Sequence, residues 1–236
     1  QFLQAVGCAM AQKMEKTKDV VYVSAGEGTT SQGDFHEALN WSSNTKAPVI
    51  FHIQDNKYAI STHKSEQTAD SIYAMTAGYK NLSRYDVNGT DYFETNLAFK
   101  QAVERARKGK GPSLIVSNVV RLLPHSNSDD QRKYRTEDDL AEDRKRDPLT
   151  VLKDQCIQDK IISKKEFEKV RNEIETQVDS DAEWADAQDH PDVDTVLEHI
   201  YSVDTAVDEP EINAIAEKIV IVDAINHALK EEMARN

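Results

Sequence analysis

Between Pro48 and Asp55 the chain reads Val-Ile-Phe-His-Ile-Gln, a strand-sized run continuous enough to be buried on both faces. Such a run needs cover on both sides, the situation of a parallel strand with helices above and below the sheet. The neighbouring sequence supplies those helices. Gln1 to Lys16 places Phe2, Val6, Ala9 and Met10 on one helical face, and Val20 to Ala25 is a β-rich run ending at Gly26. A helix from about Asp34 to Thr45 leads into Val49 to Gln54. Ser71 to Gly78 reads helical and Leu82 to Val87 extended. Asp91 with Glu94 is a capping signal for a helix to about Lys108, which Gly109 and Gly111 stop before the strand Ser113 to Val120. The alternation predicts an α/β fold, a parallel sheet with flanking helices over residues 1–136. In open sheets of this kind ligands sit at the carboxyl ends of the strands, so the loops after Ala25, Gln54 and Val120 are where chemistry is expected.

Beyond the sheet the pattern turns helical and acidic. Leu123 to Arg135 is a long polar loop, and long loops are functional or disordered more often than neutral. Asp147-Pro148 opens a helix to about Gln158, and Ser163 to Glu166 is a capping box before a helix whose stripe of Phe167, Val170, Ile174 and Val178 reads as core. A short helix carries Val196, Leu197 and Ile200, and Ser202 to Pro210 reads as a linker. Ile212 to Met233 reads as a further amphipathic helix. The organisation expected is therefore a sheet domain over 1–136, an acidic helical extension over 137–203, a linker over 204–211 and a separate start over 212–236.

Charge and composition exclude several classes of function. The formal net charge is −13, and its acidic excess lies in 137–211. That surface repels phosphate backbones and anionic lipid, so neither nucleic acid nor membrane is expected as a partner. No apolar stretch approaches the length of a membrane span. Cys8 and Cys156 form neither a disulfide framework nor a metal cluster, which suits a reducing cytoplasm. The opening Gln1-Phe2-Leu3-Gln4 has no signal pattern and reads as the interior of a longer chain.

Chemistry concentrates in two turns. Gly26-Glu27-Gly28 follows one strand directly, and Asn56-Lys57-Tyr58 follows the next, 30 residues on. Either piece alone reads as a plain turn; together they fall at one sheet edge. Magnesium takes hard oxygen ligands and keeps positions for phosphate and water. The Glu27 carboxylate, the Asn56 amide oxygen and a nearby backbone carbonyl make such a set. Glycines allow close backbone approach, and the helix after Gly33 points its free amides at the same edge.

These residues resemble the fingerprint of thiamine diphosphate-binding proteins. The longer string from Gly26 to Thr62, including Ser31 to Asn40 and Asn56 to Thr62, is similar to the alpha subunit of branched-chain 2-oxo acid dehydrogenases. His125-Ser-Asn-Ser-Asp129-Asp130, followed by Tyr134-Arg135, resembles that family's loop over its active site. The resemblance spans roughly residues 1–200. It implies thiamine diphosphate and magnesium as cofactors, held by Gly26, Glu27, Gly28, Asn56, Tyr58 and His125, with Glu27, Asn56 and the Tyr58 carbonyl as metal ligands. It also implies a catalytic His125 beside the substrate carbonyl, in a loop shaped by Ser126, Tyr134 and Arg135. Two departures stand out: Asp55 where the family often has asparagine, which adds negative charge beside a diphosphate, and the family's upstream arginine for the diphosphate, which has no counterpart before Gln1.

The activity implied is decarboxylation of a branched-chain 2-oxo acid with acyl transfer to a lipoyl group; pyruvate and acetoin remain as alternatives, as does a fragment acting only in subunit association. The partners implied are a beta subunit and a dihydrolipoyl acyltransferase. Ile212 to Asn236 resembles the opening of the beta subunit, which would make the natural chain an alpha-beta fusion, assembled as a dimer of fused chains or as a heterotetramer. Ser126 and Ser128 resemble phosphorylation sites of eukaryotic relatives but read more simply as loop serines. His36, His52, His63, His190, His199 and His227 show no metal spacing.

Overall fold

A computed structural model describes residues 1–200 and 219–235. The expected linker over 204–211 and the stretch 212–218 lie outside the described residues. Two compact units, Gln1–Val178 and Asp179–Asn236, divide the chain.

In the first unit, α1 (Phe2–Met14), β1 (Val21–Gly26), α2 (Gly33–Thr45) and β2 (Val49–Asp55) are followed by a small hairpin of β3 (Tyr58–Ala59) and β4 (Thr62–His63). Then come α3 (Ile72–Met75), β5 (Ser83–Asn88), α4 (Tyr92–Arg107) and β6 (Ser113–Asn118). The main sheet has the order β1-β2-β6-β5 with every pairing parallel. Its register aligns Gly26 with Gln54, and Asn118 with both Asp55 and Asn88, so the carboxyl ends of all four strands share one edge.

The two faces of β2 are buried for different reasons. Val49, Phe51 and Ile53 face α1 and α2, where Phe2 stacks tilted on Phe35 and Phe51 at 5.1 and 6.1 Å between ring centres. Ile50 faces α4 together with Val87 and Ile115. The buried residues of α4 are Ala98, Ala102 and Ala106, small enough for the helix to lie close on the sheet. Each buried Val, Ile or Phe contributes about 1.5–3 kcal/mol, so this one strand anchors both layers. His52 on the α4 face is held between the Tyr22 hydroxyl at 2.8 Å and Ser117 Oγ at 2.9 Å, with the Phe99 ring edge-on at 5.1 Å. Burial pushes its pKa below the ordinary histidine value.

Asp91 caps α4 as its sequence signals, accepting from the amides of Phe93 and Glu94 at 2.8 and 3.0 Å. Glu94 does not return the bond to the cap; its carboxylate takes the Asn88 amide at the end of β5. Beyond Lys108, Gly109 takes the left-handed conformation, φ 66°, that releases the chain from the helix.

After the polar loop come α5 (Glu137–Lys145), α6 (Pro148–Gln158) and α7 (Lys164–Asp186). α5 falls inside the helical extension expected over 137–203, without having been marked as a separate helix; Thr136 caps it through the Asp139 amide at 3.2 Å, and acidic residues fill its first turn, basic ones its last. The capping box of α7 forms as expected: Ser163 N and Oγ both donate to the Glu166 carboxylate, and Glu166 N donates to Ser163 Oγ. The stripe read as core is not core. Val170, Ile174 and Val178 are exposed and Phe167 only half-buried, because nothing among the described residues of the first unit covers that face.

The second unit carries a 3-10 turn at Val193–Leu197 and the helix α8 (Ile221–Arg235), whose Ile225, Leu229 and Met233 are exposed. No helix among the described residues is long and apolar enough to cross a membrane.

Candidate functional site

At the carboxyl edge of the sheet the two turns meet. β1 ends at Gly26 and the chain enters a 3-10 turn, Glu27–Ser31, that folds Glu27 inward until it is 2 % exposed. β2 ends at Asp55, and the backbone amide of Asn56 donates to Glu27 Oε2 at 3.3 Å. The other carboxylate oxygen, Oε1, is buried with no hydrogen-bond partner. Burial raises the Glu27 pKa above the carboxylate norm, its own amide and that of Asn56 pull it back, and Asp55 raises it while Lys64 lowers it. A buried carboxylate with one bare oxygen is an expensive arrangement unless a cation completes it.

Asn56 turns its side chain back on the chain, so that its Oδ1 accepts the Tyr58 amide at 3.0 Å. An amide oxygen has two lone pairs, so one stays available. The same turn carries the Tyr58 carbonyl. Glu27 and the Asn56 turn are joined by these bonds, and the chemistry of a carboxylate, an amide oxygen and a backbone carbonyl fits a hard cation. No group of three His, Cys, Asp or Glu side chains among the described residues offers a competing metal site. Gly28 has a specific reason to be glycine: a Cβ there would come within 2.7 Å of the Ala59 Cβ. Gly26 meets no such obstacle. α2 begins at Gly33 with no side-chain cap on its first amides.

The loop after β6 is tied down at several points. Val119 N donates to Asp55 O at 2.9 Å, joining the loop to the end of β2. Arg135 is buried at its centre, its side chain 1 % exposed. It donates to Asp139 and Asp143 at 2.6 Å each, to the Arg121 carbonyl at 2.9 Å and to Gln131 Oε1 at 3.2 Å. Arg121 reaches the Ile60 carbonyl at the hairpin tip and the Tyr134 hydroxyl, both at 2.7 Å. Tyr134 in turn donates to Asp129 at 2.6 Å, and the hydrogen bonds from Tyr134 and the His125 amide hold the Asp129 carboxyl below its usual range.

His125 is exposed, and its backbone amide donates to Asp129 Oδ2 at 2.9 Å. Ser126 Oγ and Ser128 Oγ lie 3.1 Å apart on the surface. Among the described residues no hydrogen bond joins His125 to Glu27 or Asn56. The link runs through Tyr58, whose ring lies 5.9 Å from that of Tyr134 and 5.4 and 5.1 Å from the guanidinium carbons of Arg121 and Arg135.

Lys64, Gln67, Asp139 and Asp143 join these turns only in the folded chain. Thr136 with Asp139 was a visible cap; the other three have no local signal, because each acts on a residue brought near by folding.

A family model described as the dehydrogenase E1 component matches residues 1–194. The chain belongs to that family. The 2-oxoisovalerate dehydrogenase subunit alpha of Bacillus subtilis (strain 168) is 36% identical over 203 residues, 86% of this chain and 61% of that protein. The pyruvate dehydrogenase E1 component subunit alpha of Staphylococcus aureus (strain Mu50 / ATCC 700699) is 43% identical over 150 residues, 63% of this chain and 40% of that protein. This dehydrogenase E1 chain thus spans 61% or less of the length of those two relatives. A transketolase structure from Campylobacter jejuni overlays on 50% of this chain and 19% of its own with a TM-score of 0.44 and 24% identity, too loose a match to carry any argument about the site.

Proposed function

We propose that this E1 chain is the thiamine diphosphate- and magnesium-dependent part of a 2-oxo acid dehydrogenase, acting on a branched-chain substrate of the 2-oxoisovalerate type and passing the acyl group to a lipoyl group on the acyltransferase. The observation that carries the reading is the bare, buried Oε1 of Glu27 beside the Asn56 turn. When bound, thiamine diphosphate supplies the electron sink that lets carbon dioxide leave a 2-oxo acid. Glu27, Asn56 and the Tyr58 carbonyl hold the magnesium, and of these three Glu27 alone is negatively charged. Gly26 and Gly28 leave room beside the diphosphate. His125 hydrogen-bonds the substrate carbonyl or moves a proton during acyl transfer. Tyr134 and Arg135 hold the loop that carries His125 and Ser126. The beta partner comes from a separate subunit or from a beta part beginning near residue 212, in a dimer of fused chains or a heterotetramer, and a cytoplasmic setting suits its two free cysteines. On this reading 1–136 holds the cofactor and 137–203 is an accessory helical extension.

A second substrate, pyruvate, is favoured by the higher identity to the Staphylococcus protein. Calorimetry of the full-length protein in its native assembly tests both levels. Thiamine diphosphate should give heat only with magnesium, and Glu27→Ala should remove it; metal-independent heat, or none, overturns the cofactor reading and leaves subunit association as the role. With the cofactor loaded, kcat/KM should favour 3-methyl-2-oxobutanoate over pyruvate, and the reverse order assigns the chain to pyruvate.

A further inference from the structure

The turn that presents Asn56 and Tyr58 has little support of its own. β2 stops at Asp55, and the hairpin after it has two residues per strand, a size that is marginal in isolation. Ile60 at its tip sits at φ 57°, a conformation that costs a β-branched residue. One short segment, 64–68, braces this turn and the Glu27 turn together. Lys64 N donates to the Lys57 carbonyl at 2.8 Å, and Lys64 Nζ pairs with Asp55 Oδ2 at 2.6 Å. The other Asp55 oxygen accepts the Lys57 amide at 3.0 Å, so both oxygens of a carboxylate that is 4% exposed are committed. Three residues on, Gln67 Nε2 donates to the Gly28 carbonyl at 2.7 Å. The segment is itself tightened by the Gln67 and Thr68 amides, which donate to the Lys64 carbonyl at 3.1 and 2.9 Å.

We propose that Lys64 and Gln67 are positioning residues for the metal and diphosphate half-site, Gln67 by pinning the Glu27 turn and Lys64 by neutralising and orienting Asp55 next to Asn56. The inference rests on the assignment of Glu27 and Asn56 as magnesium ligands. It gives the departure at Asp55 a physical account: the extra carboxylate is tolerated because Lys64 is there to hold it.

Manganese binding to the full-length protein in its native assembly, followed by electron paramagnetic resonance with thiamine diphosphate present, tests this without any turnover. Lys64→Ala should weaken manganese binding about tenfold, the scale of groups that orient metal ligands from behind. Asp55→Asn with Lys64→Ala should return to within about threefold of wild type, since the unpaired carboxylate is then gone. Lys64→Arg should stay close to wild type, and Gln67→Ala should lose several-fold. Thermal melting reports folding, and Lys64→Gln replaces the alanine variant if that one fails to fold. Wild-type binding by Lys64→Ala, or an equal loss in the single and double variants, overturns the proposal while leaving the metal site standing. Absence of manganese binding by wild type, or full binding by Glu27→Ala, overturns the metal site and this proposal together.

Discussion

Two loops leave the same edge of the sheet and treat their charges in opposite ways. In the loop after β1, Glu27 is buried with one carboxylate oxygen bare, whereas in the loop after β6 Arg135 is buried with four acceptors around it. The second is a finished structure. The first carries an unmet electrostatic demand, and burying such a demand stabilises nothing in the protein alone. On the proposed reading, the contrast separates the metal half-site from the scaffold that shapes its surroundings.

The contrast breaks if the two charges respond alike to removal. Arg135→Met should cost about 3 kcal/mol of stability in urea unfolding, at the low end for a broken buried pair because Asp139 keeps some access to water. An unchanged midpoint would mean that the loop stands without its centre. Glu27→Gln should do the opposite in metal-free protein and add about 1 kcal/mol, about 2–4 °C in Tm. Burial raises the folded-state pKa of Glu27, so the native carboxyl costs stability as pH rises from 4.5 through that raised value. The gain from glutamine should therefore be larger at pH 7.5 than at pH 5, and a loss at both would show that Glu27 is satisfied.

Smaller effects sharpen the comparison. Tyr134→Phe removes the hydroxyl shared by Arg121 and Asp129 and should speed limited proteolysis within 121–135 severalfold while sparing the sheet. Uniform cleavage rates would show that the loop is held by Arg135 alone. His52 supplies a reference away from the edge, buried like Glu27 but satisfied on both ring nitrogens. Its folded pKa is depressed, so the unfolded chain takes up the proton first and stability falls as pH drops below 6.5. Replacing His52 with Gln should flatten that part of the stability profile; an unchanged slope places the titration elsewhere.

Most of the sheet was legible before folding was considered. Strand ends fell within a residue or two of expectation, and both the Asp91 and Ser163 caps formed, because these features depend on neighbours three or four positions away. The α7 stripe was misread for the complementary reason. A 3.6-residue period says that one face seeks cover, and it is silent on whether the same chain provides it. The expected negative charge of Asp55 beside a diphosphate was likewise half of a pair whose other half lies nine positions along, across a hairpin.

The sequence by itself determined the succession of strands and helices along the chain and the arrival of Gly26-Glu27-Gly28 and Asn56-Lys57-Tyr58 at one edge, since hydrophobic period marks the elements and parallel pairing puts the strand ends together. Only the tertiary structure decided which oxygen of Glu27 stays bare, that Arg135 points inward to Asp139 and Asp143, and that Lys64 and Gln67 grip two turns at once. Desolvation and hydrogen-bond choice depend on which distant groups come to share a volume, and that is settled by packing.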